Sequence, residues 1–468
     1  MKFNTKESTR TTNLAGGVAF SISPEIELLH AVLTTFLDDK YYESKEDRIA
    51  RIKKLISLNK PEFVAKLACV ARLEFNLRSV THLLLGELAK THKGDSLVKD
   101  AIVKCTVRPD DLTELAAYVG TPLPKQLKRG VRNGLLKFNR YQLAKYKGEG
   151  NKISLVDLFN LCHPKVKHAS EEQKQAWADL IKGDLKSFDT WETEISNSTA
   201  EDKSEKWAQL VQTGKMGYMA LLRNLNNLIK NNVDEETIGC AIKKLTDPEE
   251  VKKSKQMPFR FVTAYDNVKG NRKLTDAISV AMDMAVSNTP KLPGKTLVAV
   301  DVSGSMRGDP IRKAAIFGAT LTQANPDTDL ILYDTRVKEE VVGSRLPVID
   351  LAKKIENDAM GGGTETSLVF KYAIEKKKVY DRIIIISDNE SWAEGWGYGT
   401  KSIQGWYGQY KKISDPFVYA IDIQGYGTKD IAGGKVFHLC GWSDRLLDYI
   451  GKMEEGDALV DYIKNYKI

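Results

Sequence analysis

The sequence predicts a mainly α chain that turns into an α/β one, and three observations carry that reading. Apolar residues recur at helical spacing through most of residues 23–290. A junction with two prolines and a glycine, SNTPKLPGK, falls at 287–295. Beyond it, short apolar runs alternate with helical segments, as in βαβ units around a parallel sheet. At 468 residues the chain exceeds one ordinary core. The junction divides it into a helical-repeat region, 1–290, and a Rossmann-like region, 291–468.

The helices can be read in order. SPEIELLHAVLTTFL opens with Ser23 as N-cap and Pro24 at the first helical position. EDRIARIKKLISL puts Ile49, Ile52, Leu55 and Ile56 on one face, and PEFVAKLACVARLEF does the same with Phe63, Val64, Leu67, Ala68 and Ala71. Amphipathic segments follow near 80–91, 95–105, 110–119, 124–146 and 154–161, then KWAQLV, YMALLRNLNNLI, EETIGCAIKKL and PFRFVTAYDNV. Short loops between successive helix pairs suggest a solenoid of HEAT-like character, with an irregular bundle as the alternative. After the junction, apolar runs at 296–300, 329–333, 382–386 and 417–423 predict buried parallel strands. Helices at 310–324, 347–358, 367–377 and 443–452 alternate with them.

In such sheets, sites form at the carboxyl ends of strands. The run VAVDVSGSM ends its strand on Asp301 and then places Ser303 and Ser305 at alternate positions. GGGTETS (361–367) adds Thr364 behind three glycines that let a backbone approach closely, and IIIISDNES ends its strand on Asp388. Two carboxylates and three hydroxyls at neighbouring strand ends make a hard-oxygen site of low charge. That suits Mg²⁺, or Mn²⁺, with an open coordination position for a carboxylate or phosphate oxygen. Taken alone, Asp301-x-Ser303-x-Ser305 reads more readily as a helix-capping turn.

Charge is unevenly placed. The first 290 residues carry 46 lysines and arginines against 37 acids; the rest carry 24 against 25. The positive excess points to an anionic partner for the first region. It is densest in PKQLKRGVRNGLLKFNRYQLAKYKGEGNK (124–152). There Lys125, Lys128, Arg129, Arg132, Lys137, Arg140, Lys145, Lys147 and Lys152 meet one acid, Glu149. Helical spacing puts residues 125, 128, 129 and 132 on one stripe. Such a surface can neutralise phosphates, and the interleaved Phe138, Tyr141 and Tyr146 can stack bases. The plainer reading is a solvated helix face with its aromatics in the core.

Other classes find less support. No apolar stretch approaches the roughly 18 residues of a membrane span, and the polar opening MKFNTKESTRTTN lacks a secretory apolar region. Five scattered cysteines without a CxxC suggest reduced thiols in the cytoplasm. Zinc at Cys162, His163 and His168 is disfavoured because no second ligand pair exists. A phosphatase built on Asp301 would want a second acid two residues on, where Ser303 stands. GGGTETS lacks the lysine of a phosphate-binding P-loop. No enzyme is expected.

The ordered set Asp301, Ser303, Ser305, Thr364, Asp388 resembles the metal-ion-dependent adhesion site of von Willebrand A (vWA) domains. LAGGVAF (14–20), ALLRNLNNL (220–228), MPFRFVTAYDNV (257–268), SDNESWA (387–393) and LCGWSDRLLDYI (439–450) resemble, in order, the Ro autoantigen family of TROVE-module proteins. The resemblance implies a ring of HEAT-like helical repeats closed by the vWA domain. It implies binding of small non-coding Y RNA outside the ring and of single-stranded 3′ ends of misfolded RNA within it. It further implies a role in RNA quality control, maturation or decay, beside an exoribonuclease, with no DNA or membrane partner, in a cytoplasmic monomer. LFNLCHPK (158–165) resembles the segment carrying a histidine near the RNA path, which makes His163 a candidate contact; a helix-ending histidine is the alternative.

Overall fold

The computed structural model describes residues 10–12, 18–33, 45–147, 152–186, 191–199, 201–340, 346–359, 361–391, 402–425, 428–433, 435–441, 446–447, 450, 454 and 459–468. Packing divides the chain into two compact units. One holds the described residues of 24–193 and 459–468; the other holds those of 10–23 and 194–454. No described helix is long and apolar enough to cross a membrane.

The first unit is helical: α1 (Pro24–Leu33), α2 (Lys45–Leu58), α3 (Pro61–Leu73), α4 (Ser79–Thr91), α5 (Leu97–Cys105), α6 (Pro109–Val119), α7 (Lys125–Leu135), α8 (Arg140–Lys145), α9 (Leu155–Cys162) and α10 (Glu171–Lys182). Alternate helices pack together: α3 on α5, α4 on α6, α5 on α7, α7 on α9 and α8 on α10. This stacked, two-layer order is what the HEAT-like reading expects. Two glycines bring α7 close to its neighbours. A Cβ on Gly130 would stand 2.8 Å from the branched Cβ of Ile102, and one on Gly134 would stand 3.2 Å from Leu112.

α6 is anchored electrostatically. Pro109 occupies its first turn, and Asp111 reaches back to accept the N–H groups of Val107 at 3.0 Å and Arg108 at 2.9 Å. Arg72 of α3 and Arg78, at the start of α4, bind the same carboxylate at 3.0 and 2.8 Å. Burial pushes the Asp111 pKa up. The nearby His82 ring and the bonds from the Arg108 main chain, Arg78 and Arg72 outweigh it and hold the carboxyl far below the usual range. A carboxyl so depressed stabilises the fold above its unfolded pKa, near 3.9, and loses that contribution as pH falls below it. We expect the denaturation midpoint to fall progressively as the pH is lowered from about 5 toward 1. Asp111→Asn should cost about 3 kcal/mol at neutral pH, because it leaves the buried Arg72 guanidinium uncompensated, while Arg78 keeps Asp110 and Glu114, and it should flatten that acid slope.

The second unit begins with a small antiparallel sheet, in which β2 (Val18–Ser21) lies between β1 (Arg10–Thr12) and a two-residue strand at Thr428–Lys429. After α11 (Trp191–Ser196), within which the division falls, its helices are α12 (Lys203–Gln212), α13 (Tyr218–Lys230), α14 (Glu235–Leu245), α15 (Pro248–Ser254), α16 (Phe259–Asn267) and α17 (Arg272–Ala285). Then come β3 (Thr296–Asp301), α18 (Asp309–Ala324), β4 (Thr328–Tyr333), β5 (Val337–Glu340), α19 (Val348–Asn357), α20 (Ser367–Glu375), β6 (Arg382–Ser387), α21 (Ile403–Tyr410), β7 (Phe417–Asp422), β8 (the strand Thr428–Lys429) and β9 (Val436–Cys440). Phe259 stacks on Phe317 at 5.8 Å, Arg312 pairs with Asp266, and Asp283 accepts the Val348 N–H at 2.8 Å. These contacts fasten α16 and α17 onto α18 and α19. The packing division therefore falls near residue 193, while the change of element type falls at the junction before Lys291.

The main sheet runs β5-β4-β3-β6-β7-β9, parallel except for the edge strand β5. Its central strands β3 and β6 are buried throughout. Leu297 and Ala299 share a core with Phe370 of α20 and Tyr407 of α21. Val298 and Val300 face Gly318 of α18 on the opposite side. Helices thus cover both faces. β4 lies on one side of β3 and β6 on the other, so the strand order reverses at β3 and opens a crevice at its carboxyl end.

Candidate functional site

Asp301 ends β3 at that crevice, fully buried, and β6 delivers Ser387 and Asp388 beside it. One Asp301 oxygen accepts the Ser303 N–H at 2.9 Å; the other accepts the Ser387 hydroxyl at 2.6 Å. The Ser303 and Ser305 hydroxyls lie 3.3 Å apart. The glycine loop closes directly on this turn: Gly304 N–H donates to the Gly362 carbonyl at 2.9 Å, and Gly361 N–H to the Val302 carbonyl at 3.1 Å. Gly361 has φ +72°, and a Cβ on Gly362 would meet Asp334 at 2.7 Å, so larger residues would force the loops apart. Thr364 is buried, and its carbonyl accepts the Ser391 hydroxyl at 3.0 Å.

All five expected oxygen-bearing residues therefore sit on the loops of one strand-end crevice. Burial, and then the charge of Asp388, pushes the Asp301 pKa up. Burial raises Asp388 as well, while a hydrogen bond from Ser305 pulls it back. Asp388 Oδ1 accepts the Glu390 N–H at 3.2 Å, but its buried Oδ2 has no hydrogen-bond partner. Asp301 and Asp388 thus repel one another in a buried crevice, and one of them has an oxygen without a hydrogen-bond partner. A hard divalent ion fits this donor set.

Sequence reasoning missed three residues here. Ser387 is the residue before Asp388, hidden within an apolar strand. Asp334 follows β4 and accepts the Gly362 N–H at 3.1 Å. Asp430 is buried with both oxygens lacking a partner, and burial together with Glu390 and Asp388 drives its pKa well up. Only Asp334 carried a signal, as an acid at a strand's carboxyl end.

The cationic stretch divides by partner. Arg140 pairs with Asp179 at 2.5 Å and Lys145 with Glu192 at 2.9 Å. Lys137 donates to the Val103 carbonyl at 2.9 Å and to that of Thr106, capping α5. Arg132 donates to the Cys162 carbonyl at the end of α9, just before His163. His163 is exposed and ends that helix in a left-handed conformation, φ 51°. Lys147 is half-buried beyond α8, and Lys152 is exposed. Phe138 is core, and Arg108 lies 5.0 Å over the Tyr146 ring; Tyr141 is exposed.

By contrast, Lys125, Lys128 and Arg129, on one side of α7, make no ion pair among the described residues. Arg129 and Arg132 converge with Lys99, Lys165 and His168 on a cavity of about 390 Å³. Lys99 is paired with Asp100, whereas Lys165 is exposed and in no ion pair among the described residues. The surface can hold a polyanion.

Comparison with known proteins bears on the family and the fold. The TROVE domain model matches residues 30–183 and 182–296, and the Ro60 vWA domain model matches residues 295–452. RNA-binding protein RO60 of Deinococcus radiodurans is 26% identical over 215 residues, covering 41% of this chain and 40% of that protein. RNA-binding protein RO60 of Caenorhabditis elegans is 27% identical over 203 residues, covering 38% and 31%. Telomerase protein component 1 of Rattus norvegicus is 22% identical over 293 residues, covering 44% of this chain and 11% of that one. The matches thus span less than half the length of these relatives. The crystal structure of the Deinococcus radiodurans RO (RSR) protein superposes with a TM-score of 0.64 at 17% identity, covering 91% of this chain and 99% of that one, which shows a shared fold. With two TROVE matches that together span more than half its length and a Ro60-type vWA domain following them, the chain belongs to the TROVE family of Ro proteins.

Proposed function

We propose that this protein binds RNA, holding small non-coding RNA of the Y type and single-stranded ends of misfolded RNA, as a scaffold in RNA quality control, maturation or decay. It has no chemistry of its own. The carrying observation is the set of cations on α7, Lys125, Lys128 and Arg129, that no described carboxylate neutralises. Lys165 and the exposed His163 extend that surface. Two of the relatives are named RNA-binding proteins. Residues 1–290 serve as the RNA-binding region and 291–468 as the vWA region. The protein works in the cytoplasm as a monomer, with an exoribonuclease as partner.

The test is salt dependence. Affinity for a hairpin RNA with a single-stranded tail should fall linearly on a log–log plot with added salt, because neutralising phosphates releases counterions. With about four phosphate contacts, a fourfold rise in salt should cost roughly fiftyfold or more. Affinity unchanged over that range would refute phosphate contact as the basis.

A second reading concerns the vWA region. We propose that Asp301, Ser303, Ser305, Thr364 and Asp388 hold Mg²⁺, with Mn²⁺ as substitute. Two carboxylates balance a divalent charge, and the hydroxyls add none. An open position would then capture the Asp or Glu of a partner protein. The orphaned Asp388 oxygen favours this reading.

A further inference from the structure

A separate cavity, of about 620 Å³, lies between the α4–α5 loop and the first turn of α7. Its walls divide by chemistry. Ala89, Gly94 and Pro124 give it an uncharged side. Lys93, Lys125 and Arg129 bring three exposed cations that make no ion pair among the described residues. The other charges of the lining are already committed. Lys90 pairs with Glu87 at 2.9 Å and lies over the Tyr118 ring. Asp95 accepts the Leu97 N–H and bonds the His92 ring, each at 2.9 Å.

One further feature points to an anion. α7 is 11 residues long and starts behind Pro124, which has no side chain able to cap it. The first N–H groups of a helix have no internal partner, and they favour phosphate. Gln126, in the same turn, is 8% exposed. Its oxygen accepts the Lys99 N–H at 3.3 Å, and its buried amide nitrogen is directed at the Asp95 carboxylate.

We infer that this cavity receives a phosphomonoester, either that of a free nucleotide or the terminal phosphate of an RNA strand. The uncharged side accommodates a sugar or base, and the cations and helix start take the phosphate. A phosphodiester brings one negative charge; a monoester brings nearly two above its second pKa, near 6. Three unpaired cations around one cavity therefore discriminate for a strand end over a strand interior. The strand-end source rests on the RNA-binding reading; the free-nucleotide source does not.

The test uses the full chain and three short single-stranded RNAs of one sequence: 5′-phosphorylated, 3′-phosphorylated, and hydroxyl at both ends. Adenosine monophosphate and inorganic phosphate are titrated separately. We expect a phosphate at one end to tighten binding about tenfold at neutral pH. Lys93→Glu, in an exposed loop outside the RNA contacts named above, should erase that factor and leave the hydroxyl RNA bound as before. Equal binding of all three RNAs, or an advantage that survives in Lys93→Glu, overturns the strand-end source. If no RNA binds, the RNA reading fails, and the nucleotide titration decides alone. Adenosine monophosphate or phosphate binding that Lys93→Glu abolishes sustains the cavity. Absence of any such binding to the wild-type chain, with no terminal-phosphate preference, overturns it.

Discussion

Lys125→Glu, Lys128→Glu and Arg129→Glu, combined in one chain, should lower RNA affinity by about a hundredfold or more while leaving the fold intact. Each cation that contacts a phosphate contributes about 0.7 to 0.9 to the logarithmic salt slope. Losing three contacts should therefore reduce the slope by about two, besides weakening binding at any one salt concentration. The fold should survive because none of the three makes an ion pair among the described residues, and Lys125 and Arg129 are exposed. Arg132 is a poorer choice, since it holds the Cys162 carbonyl and with it the end of α9. Changing it would mix a loss of charge with a loss of structure. Arg140→Glu serves as the internal control: it breaks a pair with Asp179 and exposes no new phosphate-binding deficit. A folded triple variant, with a native circular dichroism spectrum, that binds RNA as the parent does would remove α7 from the interface. The measurement is direct titration at two salt concentrations.

The contrast between Arg129 and Arg140 shows where reading a sequence stops. Within 124–152 the cations meet a single acid, so all nine look available. Asp179 and Glu192, which neutralise two of them, arrive from 39 and 47 residues away. Pairing across helices depends on packing, and no local pattern reports it. Lys93 escaped notice for the same reason: its neighbours in sequence are mixed, and only the approach of the α4–α5 loop to α7 sets it beside Lys125. The strand-end site was easier to read. Asp301, Ser303 and Ser305 are local to one turn, and Asp388 ends an apolar run that can only be a central strand. The βαβ alternation then places those ends together without knowledge of any side-chain contact. Asp430 lay beyond that logic. It follows the two-residue strand β8, which no periodicity can reveal.

Asp388→Asn should change stability in opposite directions with and without a divalent cation, and that reversal separates a metal site from a merely structural one. In the chain stripped with a chelator, Asp301 and Asp388 are buried together, and burial plus mutual repulsion raises the Asp301 pKa. Removing one charge relieves that opposition, so the stripped variant should be more stable than the stripped parent by about 1 kcal/mol or more. Adding Mg²⁺ should reverse the order. A ligand at about a hundred times its dissociation constant stabilises the folded state by about 2.7 kcal/mol, which is roughly a 5 °C rise in midpoint for a unit of this size. The parent should show that rise. The variant, lacking one of the two carboxylates, should show little of it. Ser305→Ala, which removes a neutral donor and a hydrogen bond to Asp388, should keep part of the response. Thermal unfolding of parent and variants, with chelator and with Mg²⁺, reads all of these at once. A parent whose midpoint ignores Mg²⁺ and Mn²⁺ would mean that the five oxygens stabilise their loops alone, by hydrogen bonds such as Ser387 to Asp301 and Gly304 to Gly362. Capture of a partner's carboxylate through a metal would then have no basis in this crevice.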